Sequence, residues 1–150
     1  MAEILLIFTC GTLGIFLGAQ LTEAVLLVPY WKTMAANDFF THHKTFGKKF
    51  HQFFAPLTIV ATLLPLVTVG VYMATKTEYI FILGSLALST LAFFSTYYLF
   101  FKKANGEFAQ RSFSDQDLPQ KLIRWENWHW GRVCLETIAF CCSIWLLTQS

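Results

Sequence analysis

Between Tyr79 and Phe101 the chain carries no charged side chain, and an apolar run of that length is suited to the interior of a lipid bilayer. Crossing the hydrocarbon takes roughly 20 apolar residues as a helix. Four segments meet that requirement: 4–28, 53–73, 79–101 and 125–147. Glu23 is the one charge in the body of the first. The second contains Pro56 and Pro65, which membrane helices tolerate and which predict a kink. The fourth opens on a polar stretch from Trp125 to Arg132 and becomes apolar from Val133 to Leu147. Composition agrees, since 13% of the 150 residues are charged and 55% are hydrophobic, where a soluble domain carries about 25% charged. The expected fold is all-α, a single-domain bundle of four transmembrane helices in contact with the lipid bilayer.

The connection after the first span holds Lys32, Lys44, Lys48 and Lys49, and that after the third holds Lys102, Lys103, Arg111, Lys121 and Arg124. Only Lys76 lies between the second and third spans. The positive-inside rule therefore places both long connections in the cytoplasm and both termini on the opposite side. Asp38 is a candidate N-cap, and Phe39, His43, Phe46, Phe50, Phe53 and Phe54 recur at helical spacing, so the second helix is expected to begin near Asp38 on the cytoplasmic side. Turn-forming residues from Asn105 to Lys121 predict a loop with little core of its own. Glu3 stands where a secretory signal has its basic region, and the adjoining apolar run is too long for such a signal, so the first segment is read as a retained span. Cys10, Cys134, Cys141 and Cys142 fall within spans without metal-ligand spacing and read as small buried hydrophobes. A net charge of +2, spread along the chain, does not indicate nucleic acid as a partner.

Ionisable groups inside spans cost a few kcal/mol each on insertion scales and by default mark a site facing the bundle interior. Here they are Glu23, His51, Glu126, His129, Arg132 and Glu136. Trp125, His129, Arg132 and Glu136 succeed one another at intervals of four, three and four, which places them along one helix face. Arg132 and Glu136 are also spaced to neutralise each other. With the expected topology Glu23, His51, His129, Arg132 and Glu136 converge on one cavity in the cytoplasmic half, where Gln20 adds a hydrogen-bonding group. Gly11, Gly14 and Gly18 share one side of the first helix and read as a packing surface.

Three chemistries fit such a cavity. Glu126-Asn127-Trp128-His129 has the Glu-x-x-His spacing of carboxylate-bridged metal bundles, although a full site needs a second motif and further glutamates. His51 and His129 on neighbouring helices offer axial ligands for haem. A cofactor-free acid–base pocket needs the fewest residues: His129 or Glu23 removes a proton from an apolar substrate while Arg132 stabilises the oxyanion. The competing structural alternative has Arg132 locking helices through Glu136 and Glu23 in a non-catalytic subunit of a homo-oligomer or larger membrane complex, with Trp125, Trp128 and Trp130 as an interfacial belt.

The segment Arg124-Trp125-Glu126-Asn127-Trp128-His129-Trp130-Gly131-Arg132 resembles the Trp-x-x-x-His-x-x-Arg signature that opens the last helix of the anthrone-oxygenase-like family of small four-helix membrane proteins. Asn105, Gly18 and Pro29 are similar to further positions of that family's pattern. The resemblance implies an oxygenase that converts a lipophilic aromatic, such as a reduced tricyclic phenol, into a quinone with dioxygen. It implies roles for Trp125, His129, Arg132 and Asn105. His129 would be the proton acceptor, Arg132 the anion stabiliser and Trp125 the stacking wall. Glu23, Glu136 and His51 lie outside the signature.

Overall fold

Even the shortest of the four long helices, 31 residues, measures about 46 Å at the α-helical rise, more than the roughly 30 Å of a bilayer core. The computed structural model describes residues 2–74 and 79–149; Lys76 lies outside these. All four helices are long and apolar enough to cross a membrane, and the chain is a multi-pass, all-α bundle without strands among the described residues. Helix α1 (Ala2–Thr22) continues through a π-helical turn (Glu23–Leu27) into α2 (Val28–Thr33). Helix α3 (Ala36–Met73) passes through Pro56 and Pro65 without a break. Helix α4 (Ile80–Thr96) leads through a second π-helical turn (Tyr97–Phe101) into α5 (Lys102–Gln110), and α6 (Leu118–Thr148) closes the bundle against α1 and α4.

Large apolar side chains such as Phe8, Ile15, Phe81 and Leu88 point outward, as lipid-facing positions do. Leu6, Leu13, Phe16, Leu83, Leu86, Phe93 and Leu146 form the inner core. Lipid is as apolar as leucine, so close packing and hydrogen bonds between helices hold such a bundle. The hydroxyls of Thr9 and Thr68 meet at 2.7 Å between α1 and α3. Of the three glycines expected to pack, only Gly14 does so: a Cβ there would stand 3.1 Å from Cε2 of Phe140, whereas Gly11 and Gly18 have open space. Gly14→Val is therefore expected to destabilise the bundle by about 1–3 kcal/mol through overpacking. Gly11→Ala and Gly18→Ala should unfold at or above the wild-type midpoint, and a scan in detergent compares the three.

The helices spend their extra length at the end bearing the basic connections, where a second core forms from Val28, Trp31, Phe39, Phe40, Phe101, Phe108, Leu118, Leu122 and Trp125. This corrects the expected loop from Asn105 to Lys121. Helix α5 reaches Gln110, and only Arg111–Asp117 separates it from α6, with a 3₁₀ turn at Asp115–Asp117. Burial of Phe108 and Leu118 supplies the packing that the turn-forming composition concealed. Arg111 terminates α5 in the left-handed conformation (φ 48°), where the Ser112 N–H donates to the Glu107 carbonyl at 3.1 Å. Ionic contacts clip the outside of this end, among them Lys32–Glu126 at 2.7 Å, Lys121–Glu107 at 2.6 Å and Arg111–Asp115 at 2.8 Å. Asp38 is not the N-cap. Ala35 holds that position, and Asp38 lies in the first turn of α3, where its charge favours the positive end of the helix dipole. The cysteines are free, and Cys134 and Cys141 are exposed on the outer surface of α6 rather than buried.

Candidate functional site

Where the two cores meet, the six α-helices and both π-helical turns leave a cavity of about 570 Å³, within the range of roughly 300–1,000 Å³ that suits a small organic ligand. Its walls are aromatic, from Trp31, Phe39, Phe50, Phe54, Phe94, Tyr97, Phe101, Phe108 and Trp125. Glu23, in the first π-helical turn, and Arg132, on α6, bring charge to this lining. A π-helical turn inserts one residue and rotates the downstream helix by about 100°. Both insertions occur at the cavity, since Glu23 belongs to one and Tyr97 and Phe101 to the other. Pro29 provides a local reason for the first: it has no N–H to return to the carbonyl four residues back, so the preceding turn can widen without losing that bond.

The four-residue stripe on α6 faces inward as its spacing predicts, with Trp125, His129 and Glu136 buried and Arg132 half-buried. Arg132 and Glu136 stand close enough for their charges to act on each other, as their spacing predicts, but not as a contact pair. No ion pair joins them among the described residues, and the guanidinium instead lies over the rings of Phe93 and Phe101, 4.4 and 4.7 Å from their centroids. Cation–π contact of this kind gains strength when water is excluded. Arg132 Nε and Glu136 Oε1 are buried without a hydrogen-bond partner. Glu136 does not line the cavity.

His129 is fully buried and is likewise not part of the cavity lining. Its Nε2–H donates to the Gln20 carbonyl at 3.0 Å, tying α6 to α1, and its ring stacks on Trp125 with centroids 4.9 Å apart. That nitrogen is also 3.9 Å from Glu23 Oε2, an approach longer than a hydrogen bond. His51 lines the cavity from an exposed position on α3, so the two histidines proposed as axial ligands do not share one wall. Glu126 is engaged with Lys32 rather than with His129, and no three His, Cys, Asp or Glu side chains gather in a metal-holding arrangement among the described residues.

Trp125 Nε1–H donates to Asn105 Oδ1 at 2.9 Å. Two residues singled out separately in the sequence thus form one unit on the cavity wall, and the Asn105 amide nitrogen is left to donate further. Trp31, which the sequence did not single out as a cavity residue, is buried with its indole N–H unpartnered and its ring 5.7 Å from that of Trp125. Trp128 stacks on Phe100 within 3° of parallel, so of the three tryptophans expected in a belt, Trp130 is the exposed one. A second, apolar groove of about 470 Å³ runs between α1 and α3 and shares Phe50 and Phe54 with the cavity. No protein-family model matches the chain, and no curated protein or solved structure matches it.

Proposed function

We propose that the protein is a membrane oxidoreductase of the oxygenase type that acts on a lipophilic aromatic or quinone-like compound held in this cavity. The observation that carries the proposal is the presence of one carboxyl, Glu23, and one guanidinium, Arg132, not joined to each other as an ion pair, in the lining of an aromatic-walled chamber between apolar helices. The resemblance to anthrone-oxygenase-like proteins supports the same chemistry.

In this scheme a flat phenol lies against Trp31 and Trp125. Glu23 takes a proton from the ring system, and Arg132 holds the oxygen on which negative charge develops. The electron-rich carbanion form adds dioxygen, making one C–O bond. A returned proton completes a hydroperoxide, which loses water to leave a carbonyl. Overall a CH₂ group and O₂ become C=O and H₂O, so carbon is oxidised, dioxygen is reduced and the protons balance. His129 holds the α1–α6 contact beside Glu23 and acts as a positioning residue. The groove past Phe50 and Phe54 offers an apolar substrate a route from the bilayer. By the positive-inside rule the basic end and the cavity belong to the cytoplasmic half of the membrane, with both termini on the other side.

Oxygen uptake by the purified protein with a lipophilic phenol tests the scheme. Glu23→Gln is expected to lower the rate at least about 100-fold, the lower range for loss of a general base. Full uptake by that variant would overturn the assignment. A Soret band or stoichiometric iron in the purified protein would replace it with a cofactor-based mechanism.

A further inference from the structure

Four cationic or titratable basic side chains of α3 line the cavity, three of them from exposed positions (Lys44, Lys48 and His51) and the fourth, His43, half-buried. Lys44, Lys48 and His51 succeed one another at four- and three-residue spacing and so share one helix face, with His43 next to Lys44. Lys44 and Lys48 differ from the other lysines that the fold has put to use. Lys32 pairs with Glu126, while Lys103 and Lys121 pair with Glu107. Neither Lys44 nor Lys48 has an ion pair or a ring contact among the described residues. The lining therefore brings Lys44, Lys48 and Arg132 together against a single carboxyl, Glu23.

Opposite charge supplied by a ligand would complete this balance. We infer that the substrate class of the cavity is a lipophilic aromatic acid: a ring system that also carries a fixed anion, which Lys44 and Lys48 receive at the mouth while the ring lies among the tryptophans and phenylalanines. This rests on the cavity being the substrate site. The shared chemistry, a fixed anion beside an apolar body, also describes an anionic phospholipid. The aromatic walls and the volume of about 570 Å³ favour the smaller, flat molecule.

Two matched probes test this by calorimetric titration of the full chain in nonionic detergent, with protein-free micelles as blank: 2-naphthol, and 6-hydroxy-2-naphthoate, which adds a carboxylate at the far end of the same ring. The naphthoate is expected to bind about tenfold more tightly than the naphthol. Lys44→Gln/Lys48→Gln should abolish that preference without changing 2-naphthol binding, and Lys44→Arg/Lys48→Arg should retain it. Equal binding of the probes to the wild type, or a preference that survives the double glutamine variant, would overturn the inference. So would displacement of the naphthoate by excess phosphatidylglycerol added to neutral nanodiscs, which would make the basic mouth a headgroup site. Because the readout is binding, a lost anion preference with normal oxygen uptake sinks only this inference. Preserved preference with no uptake sinks only the catalytic scheme.

Discussion

Replacing Arg132 by methionine is expected to lower oxygen uptake by about 100- to 1,000-fold, the range found when a preorganised oxyanion donor is removed, and to leave the four-helix bundle folded. Methionine has enough length to occupy the space between the Phe93 and Phe101 rings, and its thioether makes favourable contacts with aromatic edges. What it cannot do is offer charge or N–H donors to an oxygen in the cavity. Glu23 would then lack the nearby cation, and removing one partner from a buried charged site is destabilising in its own right. The double variant Glu23→Gln/Arg132→Met separates the two effects. It removes both charges and should unfold near or above the wild-type midpoint while remaining inactive. Arg132→Lys keeps the charge but not the planar face that lies over the rings, so it should fall between wild type and Arg132→Met. Wild-type turnover in Arg132→Met would leave the guanidinium with a packing role only.

His129→Ala is expected to produce the largest loss of stability among the polar positions, about 3 kcal/mol, from a vacated core site and a lost interhelical hydrogen bond. The imidazole is fully buried, stacks on Trp125 and donates to the Gln20 carbonyl. Alanine replaces none of these contacts. His129→Gln retains an N–H donor and should recover part of the loss. His51→Ala, at an exposed position, should change stability by no more than about 0.5 kcal/mol. Thermal unfolding of the four proteins in one detergent provides the comparison, and a His129→Ala midpoint equal to that of the wild type would remove the histidine from the α1–α6 contact.

These expectations draw unequally on the sequence. The inward stripe of Trp125, His129, Arg132 and Glu136 was legible because side-chain direction within a single helix is set by its period. Glu23 was legible as a site residue because a charge within an apolar run needs an interior partner or a guest. The contacts between helices were not legible in the same way. Arg132 has its nearest partner four residues away by spacing, yet it lies over two rings from α4 and the adjoining turn. Asn105 and Trp125 were separate candidates until the packing of α5 against α6 joined them by a hydrogen bond. Trp31 and Phe108 carried no mark beyond being aromatic, and each became part of the cavity wall through burial in the second core.

By itself the amino-acid order determined that four helices are apolar enough to cross a membrane, that α3 extends beyond its span, and that ionisable groups face inward on α1 and α6. Those properties come from hydropathy and from the helical period, which act over a few turns of one chain segment. Only the tertiary structure decided which groups share the cavity. The π-helical turns at Glu23–Leu27 and Tyr97–Phe101 each rotate the downstream residues by about 100°, enough to exchange a lipid-facing side chain for an inward one. Pro29 gives the first of these rotations a local reason, but which neighbours the rotated side chains then meet depends on the packing of the other helices, which the spacing of residues along one helix does not encode.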